Sequence, residues 1–203
     1  MRVLALLLLV LGAARAETLV FLGDSLTAGR GLSEDEAYPA LVARDLEARF
    51  PTWRVINAGV SGDTSASGLR RVAWVLKAKP TLVVVALGAN DGLRGQPVER
   101  MEANLDGIIT ALQAGGAKVA LAGMQMPLNL GPDYRTAFAA VYPRIAERHQ
   151  VPLLPFLLEG VALVPDLNQA DGIHPTAEGQ RRIAALVTLF VIPLLGAPDG
   201  PGR

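Results

Sequence analysis

Residues 81–91 read TLVVVALGAND, and their pattern decides the fold. The run at 81–87 carries three consecutive valines and shows no alternation of apolar and polar positions. A strand of that kind is buried on both faces, as in a parallel sheet covered by helices. Gly88 then breaks the run, and Asn90 and Asp91 are the first polar groups beyond it.

Working outward, four further short runs resemble it. They are residues 18–22 (TLVFL, ending at Gly23), 54–57 (RVIN), 118–122 and 151–155. The segments between them have helical spacing. Residues 38–50 place Leu41, Val42, Leu46 and Phe50 among charges, a one-sided apolar stripe. Residues 69–79 form a second helix, stopped by Pro80. Residues 97–114 form a third, with Pro97 in its first turn and Gly115-Gly116 past its end. Residues 134–148 and 176–195 complete the set. Strands alternating with helices predict an α/β chain with a central parallel sheet of about five strands, covered on both faces. The pattern contains no internal repeat. The tail at 196–203 (GAPDGPGR) is expected to fray.

The N-terminus reads as a processing signal. Met1 and Arg2 precede an unbroken apolar run at 3–11, and Ala14-Arg15-Ala16 offers small residues at a cleavage site. Residues 1–16 are therefore expected to be a secretory signal peptide cut after Ala16. The run is shorter than the roughly 20 apolar residues a membrane-spanning helix needs. The expectation is a periplasmic or secreted domain over residues 17–203, monomeric and without a stable membrane anchor.

Composition removes several classes. The 203 residues carry 19 Lys+Arg against 19 Asp+Glu, a balance that argues against binding nucleic acid through massed phosphate contacts. The absence of Cys excludes disulfides, a thiol nucleophile and thiolate metal ligation. Two histidines, His149 and His174, are too few for a His-rich metal site. Gly29-Arg30-Gly31 begins a dinucleotide fingerprint, but Glu34 stands where the third glycine belongs. No phosphate-cradling P-loop and no H-E-x-x-H motif occurs. A flavin site or a phospho-acceptor role for Asp24 would rest on fold alone.

Ligands of such sheets bind beyond the carboxyl ends of the strands. The segments there are Gly23-Asp24-Ser25-Leu26, residues 58–64 (AGVSGDT), Gly88-Ala89-Asn90-Asp91 and residues 123–127 (GMQMP), with Asp171-Gly172-Ile173-His174-Pro175 able to reach the same rim. A hydrolase without metal or thiol needs a hydroxyl nucleophile, a base and oxyanion donors. Ser25 follows a buried strand directly, in a turn leading to a helix; a plain turn or capping serine is the other reading. The base is His149 or His174. His149 sits at a charged helix end, where a solvated His favoured by the dipole is common. His174 follows Asp171 by three residues, so the carboxylate can hold Nδ1–H and leave Nε2 free. The alternative is Asp171 capping the next helix beside a surface His. Gly62 can present a bare backbone N–H, and Asn90 an amide, though both types also build plain turns.

These blocks resemble the SGNH (GDSL) hydrolase family, in particular its bacterial periplasmic thioesterase I, lysophospholipase and arylesterase group. The resemblance is carried in order by residues 21–29 (FLGDSLTAG), 56–65 (INAGVSGDTS), 87–95 (LGANDGLRG) and 171–175 (DGIHP), and outside the site by 151–156 (VPLLPF). It implies a three-layer, flavodoxin-like α/β/α fold without cofactor or metal. It implies Ser25 as nucleophile, His174 as base and Asp171 as its orienter, with an oxyanion hole of the Ser25 and Gly62 N–H groups and the Asn90 side chain. It implies serine-esterase hydrolysis of small-molecule acyl esters, thioesters or lysophospholipids. The alternatives are a carbohydrate O-acetyl esterase or a non-catalytic binding module on the same fold. The chain departs from the family at residues 30–37 (RGLSEDEA) and 124–130 (MQMPLNL), which leaves substrate preference open. Some of Met124, Met126, Leu128 and Leu130 are expected to line an acyl pocket; the competing reading packs them on the core.

Overall fold

The computed structural model describes residues 16–197. Residues 1–15 of the expected signal peptide and 198–203 of the tail lie outside them. The described chain forms β1 (Glu17–Gly23), β2 (Trp53–Gly59), β3 (Leu82–Ala86), β4 (Lys118–Ala122) and β5 (Leu153–Leu154), all parallel, in the order β2-β1-β3-β4-β5. The valine-rich run at the centre, β3, is buried at all five positions, while the edge strand β2 is fully buried only at Ala58.

Seven α-helices follow in chain order: α1 (Ser25–Ala28), α2 (Tyr38–Glu47), α3 (Ser65–Leu76), α4 (Ala89–Leu93), α5 (Val98–Ala114), α6 (Pro132–His149) and α7 (Ala177–Val191). α2 packs with α7, and α5 packs with α3 and α6. Right-handed crossovers put the first pair on one face of the sheet and the other three on the opposite face. The result is the three-layer α/β/α arrangement. From β1 the chain runs outward to β2 and then back across to β3, on the other side of β1. This reversal opens a crevice beyond the carboxyl ends of β1 and β3, where an open α/β sheet takes its ligand.

Several boundaries differ from the sequence reading. α3 begins at Ser65, not at residue 69, because Thr64 caps it by accepting from Ser67 N–H at 3.3 Å. Its first turn, Ser-Ala-Ser-Gly, carries no apolar period to read. β5 shrinks to two residues because Pro152 and Pro155 flank it and neither can donate to a ladder. α7 stops at Val191, and a 3₁₀ turn, Ile192–Leu194, takes over around Pro193.

Candidate active site

β1 ends at Gly23, and the chain turns at once into the single-turn helix α1. A Cβ on Gly23 would lie 1.9 Å from Thr27 Oγ1, so only glycine lets this turn close. Asp24 caps α1: its Oδ1 accepts from Leu26 N–H at 3.0 Å. Ser25 is therefore the first residue of α1, at the sheet rim and 8% exposed. α1 is held from the far end of the chain. Gln180 on α7 donates to the Leu26 carbonyl at 3.1 Å and accepts from Tyr38 N–H at 2.8 Å. Thr27 Oγ1 and the Tyr38 hydroxyl lie 3.0 Å apart in the same buried cluster.

The loop before α7 supplies the partner groups. Asp171 Oδ1 accepts from the N–H groups of Ile173 at 2.9 Å and His174 at 3.0 Å. Its Oδ2 lies 2.6 Å from His174 Nδ1, and His174 Nε2 lies 2.8 Å from Ser25 Oγ. Asp171 does not cap α7; Thr176 does, accepting from Gly179 N–H at 3.3 Å. The His174 backbone N–H, the His174 ring and the Ile173 N–H hold the Asp171 carboxyl well below the usual carboxylate range. An ionised carboxylate only accepts, so Nδ1 is the donor, and Nε2 of a neutral ring faces the serine hydroxyl as acceptor.

Gly62 lies between β2 and α3 with φ +85°, a backbone conformation that favours glycine. Its carbonyl accepts from Arg94 Nη2 at 3.0 Å. Asn90, on α4 directly after β3, lines the same space. Its amide is engaged rather than open: Nδ2 donates to the Asp63 carbonyl at 3.0 Å and to Asp24 Oδ2 at 3.3 Å. Ser25, Gly62, Asn90 and His174 border a cleft of about 570 Å³. Met124, Met126, Leu128, Leu158, Leu163 and Ile173 supply much of its apolar wall. The two readings of the 124–130 segment are both realised in part. Met124 and Met126 are core residues, 6% and 5% exposed, that also border the cleft. Leu128 stands at the cleft, 72% exposed, whereas Leu130 packs against the core away from it.

His149 is not brought to this site. It ends α6, as expected, but it is paired rather than solvated: Nε2 lies 2.9 Å from Asp106 Oδ1. Two buried acids went unread as structural parts of the site. Asp24 is the α1 cap, not a phospho-acceptor, and burial pushes its carboxyl up to about 6 even though Leu26 N–H and His174 pull the other way. Asp91 accepts from the N–H and hydroxyl of Ser65 at 2.7 and 2.6 Å, tying α4 to the start of α3. The signal for Asp24 was its place directly after a buried strand, where a short polar side chain can cap the emerging turn; the partner of Asp91, 26 residues earlier, left none.

A three-layer α/β/α sheet with a serine, histidine and aspartate chain at its switch point defines a class of acyl-transferring hydrolases. The GDSL-like lipase/acylhydrolase family matches residues 21–182, and the chain belongs to it. It is 45% identical over 193 residues to the esterase TesA of Pseudomonas aeruginosa, covering 95% of this chain and 96% of that one. It is 42% identical over 193 residues to thioesterase 1/protease 1/lysophospholipase L1 of Escherichia coli K12, covering 95% and 91%. A crystal structure of TesA superposes with a TM-score of 0.85 at 44% identity, over 88% of this chain and 99% of that one. The protein is a carboxylic ester hydrolase.

Proposed function

We propose that this protein hydrolyses small-molecule acyl esters and thioesters through an acyl-enzyme on Ser25. One observation carries the reading: the Asp171–His174–Ser25 relay, at 2.6 and 2.8 Å, opens onto a largely apolar cleft. Ser25 Oγ attacks the substrate carbonyl carbon while its proton passes to His174 Nε2. The imidazolium that forms faces the ionised Asp171. The carbonyl oxygen becomes an oxyanion that takes hydrogen bonds from the N–H groups of Ser25 and Gly62 and from Asn90 Nδ2. Asn90 exchanges its longer bond, to Asp24 Oδ2, for this one. The intermediate collapses, the bond to the leaving oxygen or sulfur breaks, and His174 protonates the departing alcohol or thiol. A water then repeats the sequence on the acyl-enzyme and releases the carboxylic acid.

The apolar wall of the cleft, with Met124, Met126, Leu128, Leu158 and Leu163, suits an acyl chain better than a sugar, which favours longer acyl esters over a carbohydrate O-acetyl ester. Family membership and the names of the relatives support aryl and alkyl esters, acyl thioesters and lysophospholipids as substrates. The Met1–Ala16 segment supports an exported, periplasmic or secreted enzyme. No helix among the described residues is long and apolar enough to cross a membrane. Ser25→Ala tests the mechanism on a p-nitrophenyl ester. A fall in kcat on the order of 10³ or more is expected, and near-wild-type turnover sinks it.

A further inference from the structure

Arg71 lies on α3 with its side chain turned inward, 17% exposed. Its Nε donates to Asp63 Oδ2 at 2.6 Å, and its Nη2 to the Gly23 carbonyl at 2.8 Å. Nη1 is buried and makes no hydrogen bond among the described residues. Each of the two acceptors leads to an oxyanion donor. Asp63 follows Gly62 in the chain, and its own carbonyl accepts from Asn90 Nδ2 at 3.0 Å. Gly23 stands two residues before Ser25, and its carbonyl also accepts from Val60 N–H at 3.1 Å, which draws in the β2–α3 loop.

From this geometry we infer that Arg71 is a positioning residue, which sets the spacing of the three oxyanion donors relative to one another. The inference rests on the acyl-enzyme reading of Ser25. Three strand ends supply those donors, and beyond the strands one backbone bond, Val60 N–H to the Gly23 carbonyl, crosses between their loops among the described residues. A guanidinium is a rigid planar fork, so one side chain fixes two acceptors at a set distance. A largely buried ion pair with an unpaired N–H gains little stability, because desolvation offsets the attraction. Its contribution is a distance. That distance matters because donors stabilise the oxyanion only when they are already in place.

The test is steady-state kinetics and melting temperature on two variants, with Ser25→Ala in parallel. Arg71→Met combined with Asp63→Asn removes both charges together, so neither is left buried alone. Arg71→Lys keeps the charge but has one nitrogen where two are needed. A misplacement of about 1 Å costs on the order of 10²-fold, so kcat should fall about 10- to 100-fold in the double variant and less in Arg71→Lys. KM and the shape of the pH profile should stay, since the His174–Asp171 pair is untouched. Inhibition by an alkylboronic acid, whose tetrahedral adduct fills the oxyanion site, should weaken by the same factor as kcat. Turnover within about twofold of wild type in both variants overturns the inference. So does a kcat loss that follows a fall in melting temperature and recovers on cooling, with boronate inhibition unchanged. Should the double variant fail to fold, Arg71→Lys decides by the same two readouts. Full turnover in Ser25→Ala would overturn the acyl-enzyme reading itself, whereas loss in Ser25→Ala with none in the Arg71 variants overturns only the role of Arg71.

Discussion

The protein's two histidines each face an aspartate at nearly the same distance, and only one of them belongs to a site. Where the C-terminal end of α6 meets the middle of α5, His149 Nε2 lies 2.9 Å from Asp106, which Arg148 shares at 3.0 Å. Arg148 and Arg144 also pair with Glu102 at 3.0 and 2.6 Å. At the sheet rim, His174 Nδ1 lies 2.6 Å from Asp171. Both carboxyls are held below their ordinary range, Asp106 by His149 and Arg148, Asp171 chiefly by the His174 backbone and ring. The difference lies in what fixes the acid and what meets the other ring nitrogen. Asp106 is held by side chains in a surface cluster, an arrangement usually contributing little. Asp171 is oriented by two backbone N–H groups, and the second nitrogen of His174 meets the Ser25 hydroxyl. An Asp–His pair is therefore no mark of catalysis; the backbone-held acid and the hydroxyl beyond the ring are.

The largest test of that contrast exchanges the two pairs. His174→Ala should lower kcat on the order of 10³-fold or more, with little further loss when Ser25→Ala is added. His149→Ala should leave kcat near wild type; an equal loss there would move the base to α6. Next comes Asn90, which only the His174 side engages. Asn90→Ala should cost about 10²–10³-fold in kcat with KM little changed. Turnover and melting temperature measured on one preparation separate a lost donor from a lost turn, and a kcat drop explained wholly by unfolding removes Asn90 from the oxyanion site. A smaller effect belongs to the cleft wall: Met126→Ala should shift kcat/KM among acyl chain lengths by about fourfold, the worth of one methylene of contact at about 0.8 kcal/mol. An unchanged chain-length profile would leave Met126 a core residue only.

The smallest effect is one of pH, and it sets the two acids near His174 against each other. Burial raises Asp24 from its ordinary 3.8 to about 6. The folded chain then holds this proton more tightly than the unfolded one, so Asp24 makes stability decline as pH rises from about 4 to about 6. Asp171 has the opposite sign: its contribution is present above the ordinary carboxylate range and is lost as pH falls below it. Lowering pH from 7.5 to 4.5 should therefore raise the melting temperature of wild type relative to Asp24→Asn by a few degrees, at about 2–4 °C per kcal/mol for a chain of this size. A difference that stays flat with pH would mean that Asp24 does not titrate in this range.

The sequence made the layered fold readable because its strands are buried on both faces and so lack alternation; β4 is read to the residue, and β3 within one at each end. The one-turn helices α1 and α4 left no trace, because four or five residues carry no apolar period. For the site, the residues that the structure brings together could be named, since Ser25, Gly62 and Asn90 lie just past strand ends and Asp171 and His174 in the turn before the last helix. The residues that hold them could not. A charge at position 71 of a helix reads as solvent-facing, and only the packing of α3 under the β2–α3 loop turns Arg71 inward. Gln180 likewise gives no signal in the chain of its bonds to Leu26 and Tyr38, which lie 154 and 142 residues away.

Ser25 and His174 are 149 residues apart in the chain, and the helix that follows His174 also anchors the helix that carries Ser25. On the acyl-enzyme reading, a nascent or truncated chain that stops short of Asp171 therefore carries a serine but no hydrolase. The site stays incomplete until the segment from Asp171 onward, about the last sixth of the polypeptide, is in place. So read, the esterase is switched on by completion of its own synthesis and folding.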